Sequence, residues 1–217
     1  MPHSFKNAVL GFAIALVTGV HAPAVAARDL QTMTVAGGCF WCVEADFEKV
    51  SGVGEVVSGY TGGTTANPTY KQVTAGGTGH YEAVQITYDA DQVSYAQLLT
   101  LFFRSIDPTD AGGQFCDRGD SYRTAVFVSN ESERAAAEQA KAAAQTALGR
   151  TIVTPVLQAG AFYPAEAYHQ DYYKGDTIVL TRRGPKRQAE AYDFYREACG
   201  RDTRVRALWG ADAPFAG

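Results

Sequence analysis

Apolar and polar positions change period several times along the chain, and each change marks an element. Gln31 to Ala36 reads as a short strand, after which Phe40, Val43, Phe47 and Val50 recur at helical spacing. Tyr81 to Tyr88 alternates as a strand does, with Ala83, Val84, Ile86 and Tyr88 apolar. Tyr95 to Ile106 reads as a buried helix that must stop before Asp107-Pro108, because the residue ahead of a proline is pushed out of the helical region. Thr124 to Ser129 is a strand. Ile152 to Leu157 is another, interrupted by Pro155 and so expected at a sheet edge. Between them, Asn130 and Glu133 form a capping box for an alanine-rich helix ending at Gly149. Arg187 to Cys199 is a last amphipathic helix, with Gly200 placed as its cap. Gly59 to Gly79 and Asp107 to Tyr122 read as long loops, which in a compact domain usually carry function. Strands and helices alternate irregularly, which predicts an α+β fold with a mixed sheet and flanking helices.

The first 26 residues have a different character. His3 and Lys6 precede an apolar run from Ala8 to Val20, and Ala24-Val25-Ala26 supplies small residues at the spacing read by a signal peptidase. The run is short for a bilayer span. Residues 1–26 are therefore expected to be a cleaved signal peptide, the alternative being a retained anchor. Residues 27–217 then form one domain, a monomer exported to the periplasm or secreted, with no stable membrane insertion after cleavage. The whole chain carries 19 basic and 23 acidic residues, net −4. Cleavage removes one basic residue, Lys6, and no acid. With no basic surplus, nucleic-acid binding is excluded. The mature chain keeps only His80 and His169, which excludes a multi-histidine metal site.

The chemically specific segment is Gly37-Gly38-Cys39-Phe40-Trp41-Cys42. A strand enters two glycines, and a cysteine then stands at the first turn of a helix. Free N–H groups and the positive end of the helix dipole favour a thiolate there, so Cys39 is expected to have a lowered pKa. The bulky rings of Phe40 and Trp41 beside a reactive thiol suit an apolar pocket for a methyl group.

Gly38-Cys39-Phe40-Trp41 with Glu44 resembles the A-type peptide methionine sulfoxide reductases. The resemblance continues through Gly59-Tyr60-Thr61-Gly62-Gly63, Asn67-Pro68-Thr69-Tyr70, Thr78-Gly79-His80-Tyr81-Glu82, Asp107-Pro108, Tyr122-Arg123 and Tyr168-His169-Gln170-Asp171-Tyr172. It implies a ferredoxin-like core and thiol-dependent reduction of the S epimer of methionine sulfoxide, free or in proteins. It implies no bound cofactor and no metal, and an external thioredoxin-like reductant as partner. By resemblance, Cys39 is the nucleophile that becomes a sulfenic acid and Glu82 the proton donor. Tyr70 and Tyr122 would hydrogen-bond the sulfoxide oxygen, Phe40 and Trp41 hold the methyl group, and Asp117 holds the substrate backbone. His80 and His169 read as structural hydrogen-bonding residues.

Two departures bear on recycling. Cys42 stands where the family commonly has glycine, and the glycine-rich tail with paired cysteines is missing. Cys42, Cys116 and Cys199 are all candidates to resolve the sulfenic acid. Cys199, delivered by a mobile tail, is ranked ahead of Cys42, with Cys116 a free or relay thiol. The Cys39-x-x-Cys42 motif also leaves open a thioredoxin-like dithiol exchanger, which would need none of Glu82, Tyr70 or Tyr122.

Overall fold

The computed structural model describes residues 28–216 together with residues 1 and 3, so the expected signal peptide lies almost wholly outside the described residues. In chain order the strands are β1 (Leu30–Gly37), β2 (Val53–Thr61), β3 (Tyr81–Asp89), β4 (Gly113–Gln114), β5 (Asp117–Arg118), β6 (Thr124–Val128), β7 (Val156–Gln158), β8 (Tyr163–Pro164), β9 (Ile178–Thr181) and β10 (Gly184–Arg187). The helices are α1 (Phe40–Phe47), α2 (Tyr70–Ala75), α3 (Tyr95–Arg104), α4 (Glu131–Leu148), α5 (Gln188–Cys199) and α6 (Arg201–Trp209).

Six strands form the main sheet in the order β7-β6-β1-β3-β2-β8. Its four inner strands β6, β1, β3 and β2 pair antiparallel, and α1 and α3 connect them in a split β-α-β pattern, the ferredoxin-like arrangement. Val35, Val84, Ile86 and Val126 point into one core with Phe40, Phe47, Leu98, Leu99 and Phe102 from the helices, all fully buried. Of the two inner ladders of β3, the β2 ladder places Tyr60 opposite Glu82, and the β1 ladder sets Val35 opposite Val84. The Glu82 side chain therefore leaves the sheet beside the start of α1.

Several expected elements have different bounds. The 59–79 stretch is not all loop: β2 runs to Thr61, and Tyr70–Ala75 is a helix capped by reciprocal bonds between Thr69 and Gln72. The strand expected from Ile152 is regular only over Val156–Gln158, because Pro155 has no N–H to give a ladder; it does lie at the sheet edge, parallel to β6. Helix α4 starts as expected with Asn130 Oδ1 accepting the Glu133 N–H at 2.9 Å, but Glu133 reaches back to the N–H of Ser129, one residue before the cap. The chain beyond Gly200 is not a loose tail. Gly200 adopts φ +71° and turns α5 directly into α6, whose Arg201, Val205 and Trp209 are buried. Among the described residues no helix is long and apolar enough to cross a membrane.

Candidate active site

The site begins at the end of β1. Gly38 has φ +86°, and a Cβ there would stand 2.6 Å from the Cβ of Gln114, so only glycine makes the turn into α1 at this close approach. Cys39 is the N-cap residue of α1 and makes no capping bond with its own side chain. Its sulfur is left to the cavity, a space of about 580 Å³ lined also by Phe40, Trp41, Tyr70, Glu82 and Tyr122.

Glu82, 1% exposed, accepts the N–H of Phe40 on Oε2 at 3.1 Å. That bond favours the carboxylate, yet burial away from water wins, with the negative charge of Asp117 adding to it, and pushes the pKa up to about 8. Glu82 is therefore mostly protonated at neutral pH. Tyr122 lines the same cavity as Tyr70 and Glu82. Burial, then the charge of Glu82, raises both phenols, so they remain donors throughout the physiological range.

The aromatic walls are held from behind. Trp41 stacks on Tyr172 with ring centroids 3.7 Å apart and donates its indole N–H to Nδ1 of His169 at 3.2 Å. Burial drives His169 down to about 4, so the ring stays neutral and can accept that bond. His80 is likewise structural: Nδ1 accepts the Gly63 N–H at 3.1 Å and Nε2 bonds the Thr65 carbonyl at 2.7 Å. Glu166 positions Tyr70 by accepting its backbone N–H at 2.9 Å, while its other oxygen takes the Tyr60 hydroxyl at 2.9 Å. Glu44 faces away from the cavity. It accepts the Ser58 hydroxyl and, at 2.6 Å, the Asp171 N–H, and burial raises it to about 7.

The four cysteines fall into two pairs. Cys39 and Cys42 are free thiols one helical turn apart, whereas Cys116 and Cys199 form a disulfide with Cα atoms 4.9 Å apart. Cys116 is thus neither free nor remote, and Cys199 is fixed at the end of α5. All four line the same cavity. The expected low pKa of Cys39 is not what the surroundings produce. Its hydrogen bond to Cys42, burial and the nearby charges of Cys42, Glu82 and Asp117 push it up. Cys42 is lowered instead, by the bond from Cys39 and then by Arg201 and Arg196. Of the two sulfurs, Cys42 is the one whose surroundings favour the thiolate.

Arg201 is the centre of that cationic support. It is 2% exposed, donates to the carbonyls of Gly37 and Ser105 at 3.1 Å each, and approaches Asp46 at 3.8 Å. Its guanidinium also lies 4.9 Å from the ring centroid of Phe115, which holds φ +55° just before Cys116. Asp117 on β5 completes the cavity wall. The nearest grouping of metal-type ligands outside the cavity, Glu44, Glu48 and Asp171, is bridged by the Lys174 ammonium, 2.8 Å from both Glu48 and Asp171.

A cysteine sulfur, a buried carboxyl and two phenols lining one cavity with aromatic walls are an arrangement that suits a thiol enzyme assisted by proton transfer. Comparison with known proteins agrees. The family description "Peptide methionine sulfoxide reductase" matches residues 31–198, and the chain belongs to that family. Peptide methionine sulfoxide reductase MsrA 2 of Rhizobium meliloti (strain 1021) is 50% identical over 191 residues, 88% of this chain and 89% of that one. MsrA 2 of Caulobacter vibrioides is 47% identical over 206 residues, 94% and 99% of the two chains. Among solved structures, reduced Mxr1 from Saccharomyces cerevisiae aligns with a TM-score of 0.63 at 29% identity, covering 70% of this chain and 86% of that one. Methionine sulfoxide reductase A of Corynebacterium diphtheriae aligns at 0.60 and 28% identity, covering 72% and 84%.

Proposed function

We propose that the protein reduces the S epimer of methionine sulfoxide, free or within proteins, using Cys39 as nucleophile and Glu82 as acid. The single observation that carries this reading is a buried carboxyl hydrogen-bonded to the first turn of the helix that Cys39 caps. The Cys39 proton passes to Cys42, whose thiolate form Arg201 and Arg196 favour, freeing Cys39 to attack the sulfoxide sulfur. Glu82, with Tyr70 and Tyr122 bonded to the same oxygen, protonates that oxygen. The oxygen is transferred to Cys39, methionine leaves, and Cys39 becomes a sulfenic acid. Phe40 and Trp41 enclose the methyl group, and Asp117 takes the substrate's backbone N–H.

Cys42 is the first resolver in this scheme, ahead of Cys199, because it lies one turn from Cys39 on the same helix and lines the same cavity. Cys42 sulfur displaces hydroxide from Cys39, releasing water and forming a Cys39–Cys42 disulfide. When Cys116 and Cys199 are thiols, they reduce that bond by exchange and become the disulfide seen here. An external dithiol of thioredoxin type then attacks the exposed Cys116–Cys199 pair. Each cycle consumes one sulfoxide and one dithiol, and yields one methionine, one disulfide and one water.

Export to an oxidising compartment belongs to the same proposal. It rests on the apolar run Ala8 to Val20 followed by Ala24-Val25-Ala26. Amino-terminal sequencing of the protein recovered from cells is expected to begin at Ala27. The activity is tested by giving dithiol-reduced protein each sulfoxide epimer separately. Methionine is expected from the S form only, and release of none from either would reject the reading. A thiol–disulfide exchanger would instead turn over mixed disulfides with no sulfoxide present.

A further inference from the structure

The cavity is far larger than one methionine side chain; its volume is of the class that encloses a drug-sized ligand. Its outer wall comes from α5 and from the turn of the β9–β10 hairpin, through Phe194, Tyr195 and Arg182. None of these residues has a task in the chemistry at Cys39. The hairpin forms a two-stranded sheet of its own, separate from the main sheet. Its pairing sets Ile178 opposite Arg187 and Leu180 opposite Pro185, so these four share one face. That face is open, with Ile178 63% and Leu180 85% exposed.

The hairpin also concentrates charge. Arg182, Arg183, Lys186 and Arg187 lie within six residues of a chain whose net charge is −4. Two of them are engaged: Arg187 pairs with Asp176 at 3.2 Å, and Arg183 lies 5.1 Å from the ring centroid of Phe194. Arg182 and Lys186 have no ion-pair partner among the described residues, and Arg182 is the one that borders the catalytic cavity. Glu82 and Asp117 line the same cavity, as do the buried Arg201 and the half-buried Arg196, whereas Arg182 is exposed. The cavity thus carries one exposed, unpaired cation at the hairpin turn.

We propose that the Ile178–Arg187 hairpin is a substrate-recognition subsite that favours methionine sulfoxide in polypeptide segments bearing Asp or Glu close to the oxidised residue. This deepens the proposed activity and rests on it. A polypeptide whose sulfoxide reaches Cys39 can extend along this shared cavity to the exposed Arg182. There, an acidic side chain meets an unpaired guanidinium, and apolar neighbours can lie on Leu180 and Ile178. The continuity with the catalytic cavity favours a substrate segment over an anionic lipid surface as the occupant.

The test compares kcat/KM for two peptides of equal length, one with the sulfoxide flanked on both sides by Asp and one flanked by Lys, beside a capped single methionine sulfoxide. Wild-type protein is expected to prefer the acidic peptide by about fivefold at low salt, as expected for one or two exposed charge pairs. The preference should shrink as salt rises. The readout is the ratio between peptides, which a general loss of folding or catalysis leaves unmoved. Arg182→Glu with Lys186→Glu should invert the ratio, and Arg182→Lys should keep it. A ratio near one in wild type, or one that charge reversal does not move, overturns the proposal. So does stimulation by phosphatidylglycerol vesicles without any peptide preference, which would assign the face to lipid. Failure of wild type to reduce even the capped sulfoxide would instead reject the activity itself.

Discussion

The Phe40 N–H and the Glu82 carboxyl oxygen stand 3.1 Å apart, which joins the helix that Cys39 caps to the buried Glu82 side chain. The strand register puts Glu82 on β3 opposite Tyr60, and burial there outweighs the bond that would favour ionisation. The start of α1 and the Glu82 side chain are therefore held together across the sheet.

The chemical step should slow as pH rises through about 8, where Glu82 loses its proton. Glu82→Gln keeps the hydrogen-bond donor without a transferable proton and should lower the single-turnover rate by about 10²-fold, within the range for general acids. Glu82→Asp should lose more, because the shorter chain falls short of the oxygen. Single-turnover rates across pH check this: the Gln variant should lose the alkaline decline.

Stability carries a matching signature. Glu82 and Glu44 rise to about 8 and about 7 in the fold, whereas an unfolded glutamate titrates near ~4.3. The folded state then binds more protons between those values, so stability is full below the unfolded pKa and falls as pH rises through the folded ones. Thermal unfolding should show Tm decreasing from pH 5 to pH 9. Glu82→Gln should flatten the slope and unfold at a higher temperature than wild type at pH 9.

Much of this site was legible from residue order alone. Cys39, Phe40 and Trp41 were marked by the turn into a helix, and Glu82, Tyr70, Tyr122 and Asp117 by the family resemblance; all seven border one cavity. The thiol electrostatics were not legible. The helix start at Gly38-Cys39 argued for a low pKa at Cys39, but the cations that decide where the charge sits, Arg196 and Arg201, come from the far end of the chain. Arg201 looks like a surface residue in Gly200-Arg201-Asp202, and only packing of α6 beneath Phe115 buries it. Glu166 was missed for the same reason, since its bond to Tyr70 spans 96 residues. The Cys116–Cys199 pairing spans 83 residues, and no spacing rule selects it from the three possible pairings.

Removing the second thiol of the first pair should change ionisation without abolishing chemistry. In Cys42→Ser the neighbouring thiolate is gone, so Cys39 should ionise at lower pH than in wild type. The pH dependence of its alkylation by iodoacetamide measures this directly. Methionine should still be released once per chain, because oxygen transfer uses only Cys39.

Arg201 ties β1, the Ser105 turn and α1 together from a fully buried position. Arg201→Met should cost roughly 3–5 kcal/mol in urea unfolding, since it leaves two carbonyls and the buried Asp46 short of a partner. It should also raise the pH at which the Cys39–Cys42 pair ionises.

The central claim is that Cys39 chemistry draws electrons from Cys42 and then from Cys116 and Cys199. The most direct measurement is the amount of methionine released by fully reduced protein given excess sulfoxide and no reductant. The chain has four thiols when reduced, and each methionine consumes two. Wild type should release two methionines per chain, Cys199→Ser one, and Cys39→Ser none. Methionine released by Cys39→Ser, or two per chain from Cys199→Ser, would contradict the account.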